Sequence, residues 1–317
     1  MITYYIKENG KLSVIDAVQP HCWINVAPPF SQEELEELSN KFDIPLDFLT
    51  DPLDTDERSR YDREDDIRQI ITNTPVLSGE LAAESNSVYA TVPIGIILTP
   101  ENIITITAFQ HTVLDLFAKD KVKNFDPSDM QLFVLQILEQ NVYAFLNSLK
   151  KLNLQRNQIE KELLISTQNQ QLIELLKIEK SLVYFLSALS ATELLNMKMK
   201  RTDFLNIGKD EDKSDLFEDI IIDTSQALQM ANNYANIHNS MMETYGSIIA
   251  NNVNAVMQRL TLITIIISVP TLVASIFGMN VYLFGLEDNH YALGAILAGS
   301  IGLALGIVWY FRKKSLF

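Results

Sequence analysis

Two stretches near the C-terminus contain no Asp, Glu, Lys, Arg or His: Leu260 to Leu286 and Tyr291 to Phe311. Each exceeds the roughly 20 residues that a helix needs to span hydrocarbon, so the pattern predicts two transmembrane helices rather than two helices of a soluble core. Within the first, Thr261, Thr264, Ser268, Thr271 and Ser275 follow one another at intervals of three and four and so share one helical face among Ile, Val and Leu. The same alternation continues back through Met257, Asn254, Ala250, Ser247 and Glu243. A seam with this mean period predicts copies of the helix supercoiling left-handed about a common axis. An apolar helix must hide a polar face from lipid, either against protein or around water. Ser and Thr can also satisfy their own hydroxyls within the helix, so the stripe alone fits an interhelical packing face as well. The gradation along it favours a pore: Glu243 and Asn254 at one end, small hydroxyls between, and Gly278, Met279 and Asn280 at the other. Rings of neutral oxygens hold a hydrated ion without the deep well of stacked carboxylates. In the second span Gly294, Ala298, Gly302 and Gly306 form a small-residue face with no polar stripe, which places the first span inside and the second outside.

Upstream, the period changes. Segments such as IRQIITNTP, SVYATVPIGIILT and NIITITAF read as strands around a helix near SQEELEELSNKF, with Ser31 and Glu34 as a capping box. Long helical patterns follow in MQLFVLQILEQNVYAFLNSLKKL and QQLIELLKIEKSLVYFLSAL, predicting an antiparallel pair. The polar NIGKDEDKSD then breaks the pattern, and from Asp215 to Pro270 no Pro or turn cluster interrupts it. One helix over 215–281 would be on the order of 100 Å long. The expected organisation is an α/β domain at 1–110, a long-helix region at 111–214, a stalk and first span at 215–281 with its membrane part near 260–280, a loop at 282–290, a second span at 291–311 and a basic tail at 312–317.

Charge adds orientation. The chain of 317 residues carries a formal net charge of -15, yet Arg259 precedes the first span and Arg312, Lys313 and Lys314 follow the second, while VYLFGLEDNH between the spans has no Lys or Arg. The positive-inside bias puts both termini in the cytoplasm of an inner (plasma) membrane protein, with Trp309, Tyr310 and Phe311 in the inner aromatic belt. The N-terminus lacks the apolar run of a signal peptide. The single Cys22 builds no disulfide framework, and His21, His111 and His238 lack metal-ligand spacing and read as packing or surface residues. The acids from Asp54 to Asp66 read as solvated loops.

At NVNAVMQRLTLITIIISVPTLVASIFGMN the sequence resembles the CorA family of magnesium and cobalt transporters. The family's Asn and Met before an LT pair, its Pro and its aromatic-Gly-Met-Asn ending correspond to Asn254, Met257, Leu260, Thr261, Pro270 and Phe277 to Asn280. WINVAPPFSQEELEELSNKFDIPLDFLTDPLD and PENIITITA resemble its N-terminal segments. The Pro lies one residue nearer Gly278 than in well-known members, Val281 replaces an aromatic, and the loop lacks Met-Pro-Glu.

The resemblance implies a CorA-like, funnel-shaped homopentamer in the lipid bilayer that takes up Mg2+ without any chemical step and closes when intracellular Mg2+ binds. It places Gly278, Met279 and Asn280 at the outer entrance, Asn254 and Met257 at the pore and its hydrophobic gate, Glu243 at an acidic ring, and Asp219 at a regulatory position flanked by Asp215 and Asp223. Glu287 and Asp288 in the outer loop would attract cations. Co2+ is a further expected ion. Zn2+ or Ni2+ transport, by efflux or with protons, and a non-conducting coiled-coil scaffold are the competing readings. Neither a nucleic acid nor an obligate protein partner is expected.

Overall fold

The computed structural model describes residues 1–8, 10–80, 86–165, 169–279 and 291–313. It separates into two compact units, Met1–His238 and Asn239–Phe317. The chain has the expected class: an N-terminal α/β domain, then long helices, then two membrane-length helices at the C-terminus.

The first unit is built on a seven-stranded sheet: β1 (Ile2–Glu8), β2 (Lys11–Ile15), β3 (Trp23–Val26), β4 (Arg60–Glu64), β5 (Ile67–Leu77), β6 (Tyr89–Leu98) and β7 (Ile103–Ile106). The order is β2-β1-β3-β7-β6-β5-β4, and only β3 and β7 pair in parallel. The three segments read as strands from the sequence are β5, β6 and β7. Alternation divides β3 between the two faces of the sheet. Ile24 and Val26 join Leu35, Leu38, Phe48 and Leu49 in a core with α1 (Gln32–Phe42) and α2 (Leu46–Thr50). Trp23 is fully buried, donates from Nε1 to Thr105 Oγ1 at 2.7 Å, and meets Phe125 and Phe133 edge-on. The capping box is present in full, with Ser31 and Glu34 each bonded to the other's backbone N–H, and Asp43 ends α1 in the left-handed region at φ 54°.

After the short α3 (Thr112–Ala118), α4 (Met130–Ile165) and α5 (Asn169–Thr202) pack on β5 and β6. Two helices that pack together across so short a link run antiparallel, as expected. Buried amides and hydroxyls pin them to the sheet. Asn141 Nδ2 of α4 donates to the Asn73 carbonyl at 2.8 Å, and Ser181 Oγ of α5 accepts from the Val88 and Tyr89 amides at 3.0 and 2.9 Å. The last two helices are α6 (Glu211–Phe277), which continues through Pro270, and α7 (Ala292–Lys313). Asp210 accepts the Lys213 amide at 3.2 Å and starts α6 four residues before the stalk read from the sequence.

At Gly95 of β6 the backbone is closely packed by Pro52 and by Ile106 of β7. A Cβ there would lie 2.4 Å from Pro52 Cγ and 2.8 Å from Ile106 Cγ2. Gly95→Ala is therefore expected to cost about 1–3 kcal/mol through overpacking. A thermal unfolding midpoint of the detergent-solubilised protein equal to wild type would contradict this packing.

Candidate ion-conduction site

In the second unit the polar stripe of α6 and the covered side of the same helix are different faces. Glu243, Ser247, Ala250, Asn254, Met257, Thr261, Thr264, Ser268, Thr271 and Ser275 are all exposed in the single chain. Leu262, Ile265, Val269, Val273 and Phe277 are half-buried and share a second stripe. At 3.6 residues per turn the two stripes are centred about 140° apart. The chain thus partly covers one apolar side of α6 and leaves the hydroxyl side free, together with apolar residues such as Leu260, Ile263, Ile267 and Leu272. On α7 the buried residues are Ser300 and Ala304, with Ile296 and Ile307 half-buried. The small-residue face of Gly294, Ala298, Gly302 and Gly306 is open, and a Cβ on any of these glycines would meet nothing within 4 Å.

The hydroxyls are oriented by their own helix. Thr261 Oγ1 donates to the Met257 carbonyl at 2.9 Å, Thr264 to Leu260 at 2.9 Å, Thr271 to Ile267 at 2.7 Å and Ser247 to Glu243 at 3.2 Å. Each of these four hydroxyls has spent its only proton on the preceding turn, so toward any outside group it is an acceptor alone. An acceptor-only surface suits the outward-pointing hydrogens of water bound to a cation.

At the far end of α6 the Gly278 amide donates to the Ala274 and Ser275 carbonyls at 2.9 and 3.2 Å, and the Met279 amide donates to Ile276 at 3.3 Å. Met279 is 59% exposed. A Cβ at Gly278 would be 3.5 Å from the nearest atom, an ordinary contact, so nothing among the described residues demands glycine there. Asn280, Glu287 and Asp288 lie outside the described residues.

The acids at the start of α6 have separate employments. Asp210 caps the helix, and Glu218 pairs with Lys200 of α5 at 2.8 Å. Asp215 and Asp219 are exposed and Asp223 is half-buried. Asp219 and Asp223 share a negative field with two residues of α4 that sequence reasoning missed. The Tyr143 hydroxyl faces Glu139 Oε1 at 3.5 Å, and its pKa is raised by Glu139 first, then by burial and by Asp223 and Asp219. Only the fold brings Glu139 and Tyr143 to this place, and no motif in the sequence signals it. Among the described residues no group of three or more His, Cys, Asp or Glu side chains forms a metal-holding set.

A sequence profile of the family described as CorA-like Mg2+ transporter protein matches residues 18–313. The chain is similar to the cobalt/magnesium transport protein CorA of Methanocaldococcus jannaschii, with 26% identity over 292 residues, 92% of this chain and 90% of that protein. Its fold is similar to the complete structure of the CorA magnesium transporter from the same organism, with a TM-score of 0.80 at 24% identity over 99% of this chain and 98% of that one. The full-length CmaX protein gives a TM-score of 0.70 at 15% identity over 99% and 97% of the two chains.

Single cysteines at 254, 257, 261, 264, 268, 271 and 275 should react with an aqueous thiol reagent in the membrane, and those at Ile265, Ile266 and Leu272 should not. The fully buried native Cys22 leaves a low background. The reverse pattern would remove this face of α6 from consideration as a water-lined surface.

Proposed function

Because this chain belongs to the CorA-like Mg2+ transporter family, we propose that it conducts hydrated Mg2+ into the cell along an axis lined by the exposed stripe of α6. Divalent-cation transport is the family's activity, and the chain is a transport protein rather than an enzyme. The observation that carries the pore reading is the unbroken three-four stripe, which gathers every Ser and Thr of residues 260–279 on one face; it is exposed in one chain, as are the apolar Leu260, Ile263, Ile267 and Leu272 around it. In a homo-oligomer, here a pentamer by family resemblance, the stripe closes into stacked rings of Asn254, Met257, Thr261, Thr264, Ser268, Thr271 and Ser275. Mg2+ releases its inner-shell waters reluctantly, so rings of acceptors that bond those waters avoid the dehydration cost. The flux is channel-like, down the electrochemical gradient. Co2+ is a second cargo by likeness to the cobalt/magnesium transporter.

Both termini are cytoplasmic in this reading, which puts Gly278, Met279 and Asn280 at the outer mouth of an inner-membrane pore, with Glu287 and Asp288 concentrating cations beside it. Met257 supplies an apolar constriction and Glu243 an acidic ring at the cytoplasmic end. Internal Mg2+ bridges Asp219, with Asp215 and Asp223 nearby, to a neighbouring copy and favours the closed state. When the sites empty, the carboxylates repel and the closed state loses its advantage.

Asn280→Ala should lower Mg2+ flux in proteoliposomes by about tenfold or more, as expected for losing hydrogen-bond acceptors that stabilise the ion in passage. Normal flux from a correctly assembled variant would exclude Asn280 from the entrance. Asp219→Ala should raise the internal Mg2+ concentration that half-inhibits flux by about fivefold or more, the lower range of site-to-site coupling. An unchanged value would remove Asp219 as a principal sensor.

A further inference from the structure

Through His238, α6 belongs to the first unit, where it lies beside α4 and α5. Asn196 of α5 donates to Thr224 of α6 at 3.3 Å. Farther along, the contact is unusual. Arg156 of α4 is only 7% exposed, and no ion pair among the described residues includes it. Its Nη2 donates to Asn157 Oδ1 at 2.8 Å, its guanidinium lies 5.8 Å from the centre of the Tyr234 ring, and its Nε and Nη1 have no hydrogen-bond partner. His238 is 0% exposed, and neither ring nitrogen has a partner. A buried polar ring without hydrogen bonds is costly, and a buried charge costs more.

We propose that His238, with Arg156 beside it, is a proton-binding site through which cytoplasmic pH controls how tightly α4 and α5 hold α6. The charged groups acting on the imidazole are Arg156 from α4 and Glu179 from α5, and on α6 itself Tyr234 lies against the same guanidinium. Burial lowers the His238 pKa below its ordinary value, Glu179 opposes the shift, and Arg156 adds to it. The packed arrangement therefore favours the neutral ring, while an undocked ring titrates near 6.5. Above that pH both arrangements are neutral and the packing keeps its full stability. As pH falls below it, the undocked state gains a proton that the docked state refuses, and the hold on α6 weakens. The ring takes its proton from the cytoplasm, and an imidazolium released from the pocket no longer shares it with a second cation. This coupling of pH to packing stands apart from the pore reading; any effect on flux rests on that reading.

The test is hydrogen exchange along residues 225–238 in the full-length assembled protein at pH 7.5 and 5.5, each compared with His238→Gln at the same pH to cancel the intrinsic rate change. Wild type should lose more protection at pH 5.5 than the variant, which cannot take up the charge, by up to about tenfold, the limit for a docked ring that takes no proton. Equal losses in both proteins, or wild-type protection that does not change with pH after this correction, would overturn the proposal. Should His238→Gln already be loose at pH 7.5, Arg156→Gln decides. Removing the neighbouring cation lets the docked ring accept a proton more readily, so the acid-induced loss should shrink. A loss as large as that of wild type would overturn the proposal in that case.

Discussion

A helix that is apolar on most sides and polar on one cannot turn the polar side to hydrocarbon, and the arrangement of the C-terminal unit depends on that constraint. One chain leaves it unmet. The residues that α6 covers for itself are Leu262, Ile265, Val269, Val273 and Phe277, and its Thr and Ser side chains are left exposed. Internal bonds to carbonyls one turn back satisfy the hydroxyl protons of Thr261, Thr264 and Thr271 but leave the oxygen lone pairs facing outward. In the function proposed above, copies of the chain around a shared axis resolve this, because each stripe then faces water; on that proposal the oligomer and the pore are one solution to one problem.

In the proposed function, α6 is the element through which the first unit bears on conduction. α6 is a single helix of 67 residues that begins beside α4 and α5 and ends at the membrane-length segment. A change in how its first half is held is a change in the element that carries the stripe. The first half is held by contacts of different character. Asn196 to Thr224 is a neutral buried bond, Lys200 to Glu218 is an exposed ion pair of small worth, and Arg156 and His238 are buried groups that each keep nitrogens without a hydrogen-bond partner. Asp219 and Asp223 add a negative field shared with Glu139 and Tyr143. These polar and charged contacts are set into a face of α6 that also buries Phe217, Ile220, Ala227 and Ala231.

Much of this was legible from residue order alone. The spans, the stripe and the long helices are periodic over many residues, and the capping box at Ser31 and Glu34 is a local signal. β5, β6 and β7 were legible because they are long or richly apolar. β1, β2 and β4 were not: they are half-exposed or charged strands, β2 and β1 toward one edge of the sheet and β4 at the other, where no strong contrast marks the alternation. The start of α6 was read late because its acids look like a loop until one of them, Asp210, is seen capping the helix. Glu139, Tyr143 and Arg156 could not be found from spacing, since only the packing of α4 against other helices gives them meaning. A histidine such as His238 has no neighbour in sequence to mark it, and its character comes from burial.

The central claim is that the α6 stripes of several copies face one another around a hydrated cation. It is tested most directly by solving the assembled protein in a bilayer mimic with Co2+ present and mapping anomalous density along the symmetry axis. The account predicts density on the axis, level with the rings of Asn280 and Asn254 and too far from their oxygens for direct coordination. An assembly whose hydroxyl stripes pack against α7, or whose axis is closed by apolar side chains along its whole length and holds no ion, would contradict it.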